Sequence, residues 1–197
     1  MGKIMNAIVN SCIQRKIITE DDAEWFRYGL EKRLLSIIMS IPFFAIATAL
    51  SNFWVASSFF FSFYFLRYRM SGYHAKSVLA CTVASLSLEL LFFCIVYPLL
   101  NCFASGMIMI IVILLVVSLA PYNHPNMNFT DEELLACKKS SRTRLCLLVL
   151  LFFLAFIHNW DWIVKGFALG CAMASLLLCI AYISEWRIKI WKSLKRN

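Results

Sequence analysis

The sequence lacks several features that mark common classes of small soluble protein. It has eight cysteines but no Cys-X-X-Cys pair and no Cys/His cluster with the spacing of zinc ligands, so we expect no metal and no other cofactor. No uninterrupted apolar run precedes Leu34, which argues against a signal peptide. No basic domain interleaved with aromatic residues accounts for the net charge of +8, so we expect no nucleic-acid partner.

Apolar sequence is what the chain has in abundance. Its residues are 61% hydrophobic and its mean hydropathy is +0.75, whereas soluble domains are roughly 45–50% apolar. The apolar runs are close to the ~20 residues that a helix needs to cross a bilayer. We therefore expect an all-α polytopic membrane protein with six transmembrane helices, at residues 34–51, 53–68, 78–100, 103–120, 145–159 and 163–184.

The basic residues predict how these helices are oriented. With six spans, all but one of the 19 Lys and Arg residues fall in segments on the same side, and only Lys165 falls on the other. Positive residues accumulate on the cytoplasmic side of the cell membrane, so we expect both termini in the cytoplasm. The same cations make a lipid bilayer with anionic headgroups an expected partner.

The polar segments complete a single expected domain over residues 1–197. Residues 1–33 are expected to form a cytoplasmic amphipathic segment on the membrane surface, with Thr19 as a helix N-cap. Residues 34–184 form the bundle, and residues 185–197 form a basic cytoplasmic tail. Between the fourth and fifth spans, Thr130 and Glu133 predict a capping box that opens a short helix.

The stretch from Arg67 to Cys81 contains the first candidate catalytic residues. Cys81 is predicted near a helix N-terminus with cations beside it, an environment that favours the reactive thiolate. His74 is a candidate general base and acid. Seven residues of straight helix would separate the two by about 10 Å, so a catalytic pair requires the chain to fold back near Gly72 or the helix to begin after His74. Simple packing of both side chains at the membrane boundary is the alternative.

Glu89 is an ionisable residue deep inside the third predicted span. Cys81, Ser85 and Glu89 are spaced four residues apart and share one helix face. A carboxyl group at that depth is costly and usually faces the bundle interior or a wet cavity. Glu89 either supports the thiol, by orienting it or handling a proton, or is a structural group bonded to a neighbouring helix.

A second motif follows the fourth predicted span, at residues 120–129. Its two prolines and three asparagines exclude a helix through most of the segment. His124 is therefore a candidate second catalytic imidazole or, alternatively, part of a shaped loop at the end of the span.

Together these residues resemble the accessory gene regulator B family, the membrane peptidases of Gram-positive quorum sensing. The resemblance covers nearly the whole chain and rests on Gly72-Tyr-His74-Ala75, Cys81, Ser85, Ala120-Pro121 and His124-Pro125-Asn126. It implies that His74 and Cys81 are the catalytic pair. Family members commonly carry an acidic residue where this chain has Asn123, and Lys-Pro where it has Met127-Asn128. Because His74 and Cys81 are intact, these departures bear on the details of substrate recognition more than on the reaction.

The resemblance further implies a cysteine endopeptidase that acts on an AgrD-like propeptide. Cys81 would form a thioester as the C-terminal tail of the propeptide departs, and a side chain of the bound peptide would then close a thiolactone or lactone ring. A homodimer with its active sites at the cytoplasmic face is also implied. Because the tail is acidic, the candidate substrate-binding residues include three cations, which could equally serve only to orient the protein; the set is Arg67, Arg69, Lys76, His124 and Asn126.

Two functions of other classes compete with the peptidase. A small transporter or channel could use Glu89 as its coupling or pore residue, although spans 1–3 and 4–6 show no inverted repeat in the sequence. A non-enzymatic membrane scaffold could use the basic surfaces to dock a partner. Replacing Cys81 by alanine distinguishes these alternatives, because only a peptidase must lose propeptide cleavage.

Overall fold

The computed structural model describes residues 2–70, 78–123 and 130–194. These residues form helices and connecting turns, without any strand among them. The α-helices are α1 (Gly2–Gln14), α2 (Ala23–Leu50), α3 (Phe53–Met70), α4 (Val78–Leu91), α5 (Tyr97–Leu99), α6 (Cys102–Leu119), α7 (Asp131–Ile157) and α8 (Asp161–Leu194). The chain divides into two compact units, Met1–Ala45 and Ile46–Asn197.

The first unit contains α1 and most of α2, which form a helical pair broken between Gln14 and Ala23. The break follows a hydrogen-bond pattern that commonly closes helices, in which Ile17 N–H donates to Cys12 O at 2.9 Å while Lys16 takes a φ of 55°. Thr19 Oγ1 accepts a hydrogen bond from Asp22 N–H at 3.3 Å. Thr19 therefore caps a turn that leads into α2, and the helix itself begins at Ala23.

Among the residues that the structure describes, four helical segments are long and apolar enough to cross a membrane, which fits a multi-pass membrane protein. They are Thr82–Leu99, Cys102–Leu119, Asp131–Ile157 and Asp161–Ser184, and they coincide with the last four spans expected from the sequence. The first expected span, 34–51, lies in α2, where residues Ile37–Leu50 form a shorter apolar helix. The second, 53–68, is helical in α3, whose serines, tyrosines and arginines lower its hydropathy.

The segment at residues 78–100 is not one regular α-helix. After α4, residues Phe92–Val96 form a π-helical turn, in which Tyr97 N–H donates to Phe92 O, and α5 with Pro98 follows. Such turns place one extra residue in the helix and are frequent at functional sites. Phe93, just inside the turn, is buried and packs edge-to-face on Phe59 of α3 at 5.0 Å between ring centroids.

The capping box expected before the fifth span is present. Glu133 N–H donates to Thr130 Oγ1 at 3.3 Å, and Thr130 N–H donates to Glu133 Oε2 at 2.9 Å. The expectation of a short separate helix is wrong, because α7 continues from Asp131 through the basic segment to Ile157. No proline or glycine interrupts that stretch, so the polar and apolar parts form a single rod.

α8 is the central helix of the second unit. It packs against α3, α6 and α7, and 61% of its candidate span is buried, whereas only 17% of Thr82–Leu99 is buried. Two glycines allow α3 to approach closely: a Cβ added at Gly166 would overlap Ser58 Oγ and lie 2.6 Å from Val55 O, and one at Gly170 would overlap Ser62 Oγ and Phe59 O. Small residues four apart are a common basis for helix packing in membranes.

Candidate functional site

Cys81 is the fourth residue of α4 as the structure describes this helix, and its backbone is helical. The Cys81 side chain lies outside the described part of the molecule, as do Gly72, His74 and Lys76. The approach of His74 to the Cys81 sulfur therefore stays a prediction.

The inner face of α4 carries one buried carboxyl group. Glu89 is only 3% exposed, and its Oε1 atom has no hydrogen-bond partner among the described residues. Ser85, one helical turn earlier, is half-buried, and the π-helical turn begins three residues later at Phe92. Since α4 is continuous from Val78 to Leu91, Cys81, Ser85 and Glu89 share one helix face. A buried ionisable group in an apolar span usually has a functional reason to be there.

A backbone hydrogen bond joins the end of α3 to the segment after α6, and these are the two points that the sequence motifs follow. α3 ends at Met70, which is fully buried, and Tyr122 N–H donates to Met70 O at 3.0 Å. His74 lies four residues after Met70 in the sequence, and His124 lies two residues after Tyr122. The two motifs are about fifty residues apart in the sequence, but the residues that precede them, Met70 and Tyr122, are in direct contact.

Tyr182 of α8 supports this junction. Its hydroxyl donates to Leu119 O, the last residue of α6, at 2.7 Å, and its ring packs edge-to-face on Tyr122 at 5.0 Å between centroids. Tyr122 itself is only 4% exposed. We call the group formed by Met70, Leu119, Tyr122 and Tyr182 the Tyr122 anchor.

Two arginines of α7 reach the ends of α3 and α6 near this anchor. Arg144 Nη1 donates to Phe65 O of α3 at 2.8 Å, and Arg142 Nη2 makes a longer bond to Val117 O of α6 at 3.4 Å. Val117 lies in the last turn of α6, where backbone carbonyls are short of partners and a cationic side chain interacts favourably with the helix dipole. Phe65 lies five residues before the end of α3, so the bond from Arg144 instead holds α7 against α3 before its last turn.

The candidate substrate-binding cations of α3 lie in its last turn. Arg67 is half-buried, whereas Arg69 is exposed, with its guanidinium 5.2 Å from the centre of the Tyr68 ring. Both precede Met70 and so lie at the end of α3 that carries the Tyr122 anchor. His124 and Asn126 lie outside the described residues.

Other cysteines and acids offer little additional chemistry. The seven cysteines with described side chains are free thiols, and Cys102 donates to Asp161 Oδ1 at 3.0 Å, where α6 and α8 begin. In the described ranges, no three His, Cys, Asp or Glu side chains approach closely enough to hold a metal ion.

Sequence reasoning missed Tyr122, Tyr182 and Arg144. The loop containing Tyr122 was recognised for its prolines and for His124, but its partner is a backbone carbonyl that no sequence pattern identifies. Tyr182 lies in a segment that the sequence predicts as a transmembrane span, and Arg144 lies in a basic segment that predicts only the orientation of the chain. Their contacts become visible only from the packing of α7 and α8.

Comparison with known proteins agrees with the motifs. No curated protein and no solved structure matches the chain. The family model described as accessory gene regulator B matches residues 2–182, a range that includes both motifs, the Tyr122 anchor, the first three candidate spans and nearly all of the fourth. This confirms the resemblance seen in the sequence: the chain belongs to the accessory gene regulator B family, which acts with an AgrD propeptide in the maturation of quorum-sensing autoinducers.

Proposed function

We propose that the protein is an integral-membrane cysteine endopeptidase that removes the C-terminal tail of an AgrD-like propeptide and supports its cyclisation. In this proposal the chain crosses the cell membrane six times, with α2 and α3 supplying the first two spans. Both termini lie in the cytoplasm, residues 1–33 lie on the membrane surface, and the active site faces the cytoplasm.

Cys81 and His74 carry the first half of the reaction. The Cys81 thiolate attacks the carbonyl carbon of the scissile peptide bond, and the C–N bond breaks as His74 donates a proton to the leaving amine. The tail then departs with a free amino group, and the rest of the peptide remains on Cys81 as a thioester.

Ring closure is the second half. His74, now neutral, accepts the proton of a Cys thiol or Ser hydroxyl of the bound peptide as that group attacks the thioester. The Cys81 thiolate leaves, and a thiolactone or lactone forms. Water would hydrolyse the thioester irreversibly, so the site must hold the peptide's nucleophile close and limit water, as the boundary of an apolar helix can do.

The observation that carries this proposal is the hydrogen bond from Tyr122 N–H to Met70 O. This bond joins the end of α3 to the segment after α6, and the two motifs begin within a few residues of these two points in the sequence. The anchor therefore supports a site that uses both motifs.

Other residues take supporting roles in the proposal. Gly72 permits the turn that brings His74 to Cys81, while Ser85 and Glu89 lie behind the thiol on its helix face. The propeptide tail is bound by the set Arg67, Arg69, Lys76, His124 and Asn126. The protein acts as a homodimer in a bilayer that contains anionic lipid.

The test is co-expression of the full chain with a candidate AgrD-like propeptide, following loss of the tail by mass spectrometry. Cys81→Ala and His74→Ala should each abolish cleavage. Cys94→Ala is the matched control, because Cys94 is an exposed thiol in the candidate span that begins directly after Cys81, and its loss should leave cleavage intact. Cleavage that persists in Cys81→Ala would overturn the proposal.

Glu89 favours a second candidate function, a small transporter or channel. A buried carboxyl group with one oxygen that lacks a hydrogen-bond partner among the described residues is the kind of group that couples ion movement in transporters. For a transporter, Glu89→Gln should abolish transport and Cys81→Ala should have little effect. The peptidase proposal predicts that the Cys81 substitution is the more damaging one.

A further inference from the structure

An open groove of about 510 Å³ runs along the outer face of α3. Its lining comprises Phe60, Phe61, Tyr64, Phe65 and Tyr68 from α3, with Arg144 from α7. The α3 residues recur at helical spacing and so form one aromatic stripe. Phe61 and Phe65 stack at 5.5 Å with 13° between their planes, which gives the groove a smooth apolar wall.

Arg144 is held in a fixed orientation at this groove. Its guanidinium lies 4.9 Å from the centre of the Phe65 ring and 5.1 Å from that of Tyr68, while Nη1 donates to Phe65 O at 2.8 Å. A guanidinium has five N–H donors, and the bond to Phe65 O uses one of them. The donors that remain form a fork suited to a phosphate.

The position of Arg144 along α7 matches the depth of lipid headgroups. It follows the basic segment that contains Lys138, Lys139 and Arg142, and the apolar run to Ile157 begins at the next residue. No acidic residue lines the groove, so a cation at the edge of the apolar region needs an anion from elsewhere. Tyr64 on the same stripe is typical of the aromatic belt at a membrane interface.

We propose that this groove is a binding site for one anionic phospholipid, with its phosphate on Arg144 and an acyl chain along Phe61 and Phe65. Phe61 is 47% exposed on the surface of a membrane bundle, where the neighbouring medium is acyl chains. An extended peptide in that position would leave its backbone N–H and C=O groups without partners. A headgroup with its own cation would bring a like charge to the basic segment of α7 that contains Lys138, Lys139 and Arg142, so an anionic headgroup fits better.

The site is tested on the purified full chain by native mass spectrometry after equilibration with vesicles of equal parts phosphatidylglycerol and phosphatidylcholine. The wild type should retain phosphatidylglycerol in preference. Arg144→Gln removes the phosphate ligand as well as a positive charge, so it should lower that retention by more than about fivefold, the effect of one basic residue near a lipid surface. Arg142→Gln is the matched control, since it removes the same charge two residues away and outside the groove, and it should lower retention by about fivefold at most.

The acyl-chain part of the site has its own variant pair. Phe61→Ala shortens the apolar wall and should weaken retention with Arg144 intact, whereas Phe103→Ala removes an exposed ring from α6 and should have no effect. This pair decides the matter if Arg144→Gln does not fold. Equal losses in Arg144→Gln and Arg142→Gln, no preference in the wild type, or displacement of the lipid by an acidic peptide would each overturn the proposal. Lipid binding at this groove requires only that the protein is inserted in a membrane, so its test does not depend on the peptidase reaction.

Discussion

Replacing Gly170 by alanine tests how closely the two most tightly packed helices must approach. The new methyl group would overlap Ser62 Oγ and Phe59 O and would lie 3.1 Å from the Phe59 carbonyl carbon. Ser62 Oγ already donates to Ser58 O at 2.8 Å and to Phe59 O at 3.0 Å within α3. Phe59 O is a backbone atom, and Ser62 Oγ is hydrogen-bonded to backbone carbonyls of α3. Neither atom can shift without moving the helix, so α3 and α8 must move apart.

The size of the effect follows from a matched glycine. Gly106 lies in α6, and a Cβ there would meet nothing within 4 Å. Both substitutions gain the same helix-propensity term, about 0.5–1 kcal/mol for alanine over glycine. The difference in free energy of unfolding between Gly106→Ala and Gly170→Ala is therefore the cost of overpacking, about 1–3 kcal/mol.

The assay is reversible unfolding in mixed micelles by increasing amounts of a denaturing detergent, followed by circular dichroism. Gly106→Ala should be as stable as the wild type or slightly more stable, and Gly170→Ala should unfold at lower detergent. Equal stability of the two variants would refute the close packing of α3 on α8 through this glycine.

Three further predictions concern single side chains. Tyr182→Phe removes the hydrogen bond to Leu119 O, so it should lower the free energy of unfolding by about 1 kcal/mol and slow propeptide cleavage. If neither the free energy of unfolding nor the cleavage rate changed, the hydroxyl would contribute nothing to the anchor. Thr130→Ala should cost about 1 kcal/mol at the start of α7 and speed amide hydrogen exchange there, whereas Thr143→Ala, farther along the same helix, should leave that exchange unchanged. Glu89→Gln should slow cleavage by well under the roughly 100-fold that follows removal of a proton-transferring group; a larger loss would assign the carboxyl a direct chemical role.

The sequence allowed the helical class and most helix positions to be predicted, because long apolar runs and capping residues act locally. The Thr130 capping box is such a local signal, and it appears as expected. The length of α7 was predicted incorrectly because its basic segment looked like a boundary. Nothing in the sequence of that segment breaks a helix, and the polar residues simply lie on the same rod as the apolar ones.

The contacts that organise the candidate site could not be predicted in the same way. The bond between Tyr122 N–H and Met70 O joins residues far apart in the sequence through backbone atoms that every residue possesses. The close approach at Gly170 also depends on which helix lies opposite. Such features follow from tertiary packing, so one sequence identifies the catalytic candidates but not the structure that positions them.

The central claim is that the Cys81 sulfur becomes covalently bound to the propeptide. Purified protein is mixed with an AgrD-like propeptide, quenched in acid and measured by intact mass, and the modified residue is located by peptide mapping. The account predicts an adduct equal to the propeptide without its tail, on Cys81 and released by hydroxylamine as a thioester. Cleavage without any adduct in wild-type protein, together with equal cleavage by Cys81→Ala, would contradict it.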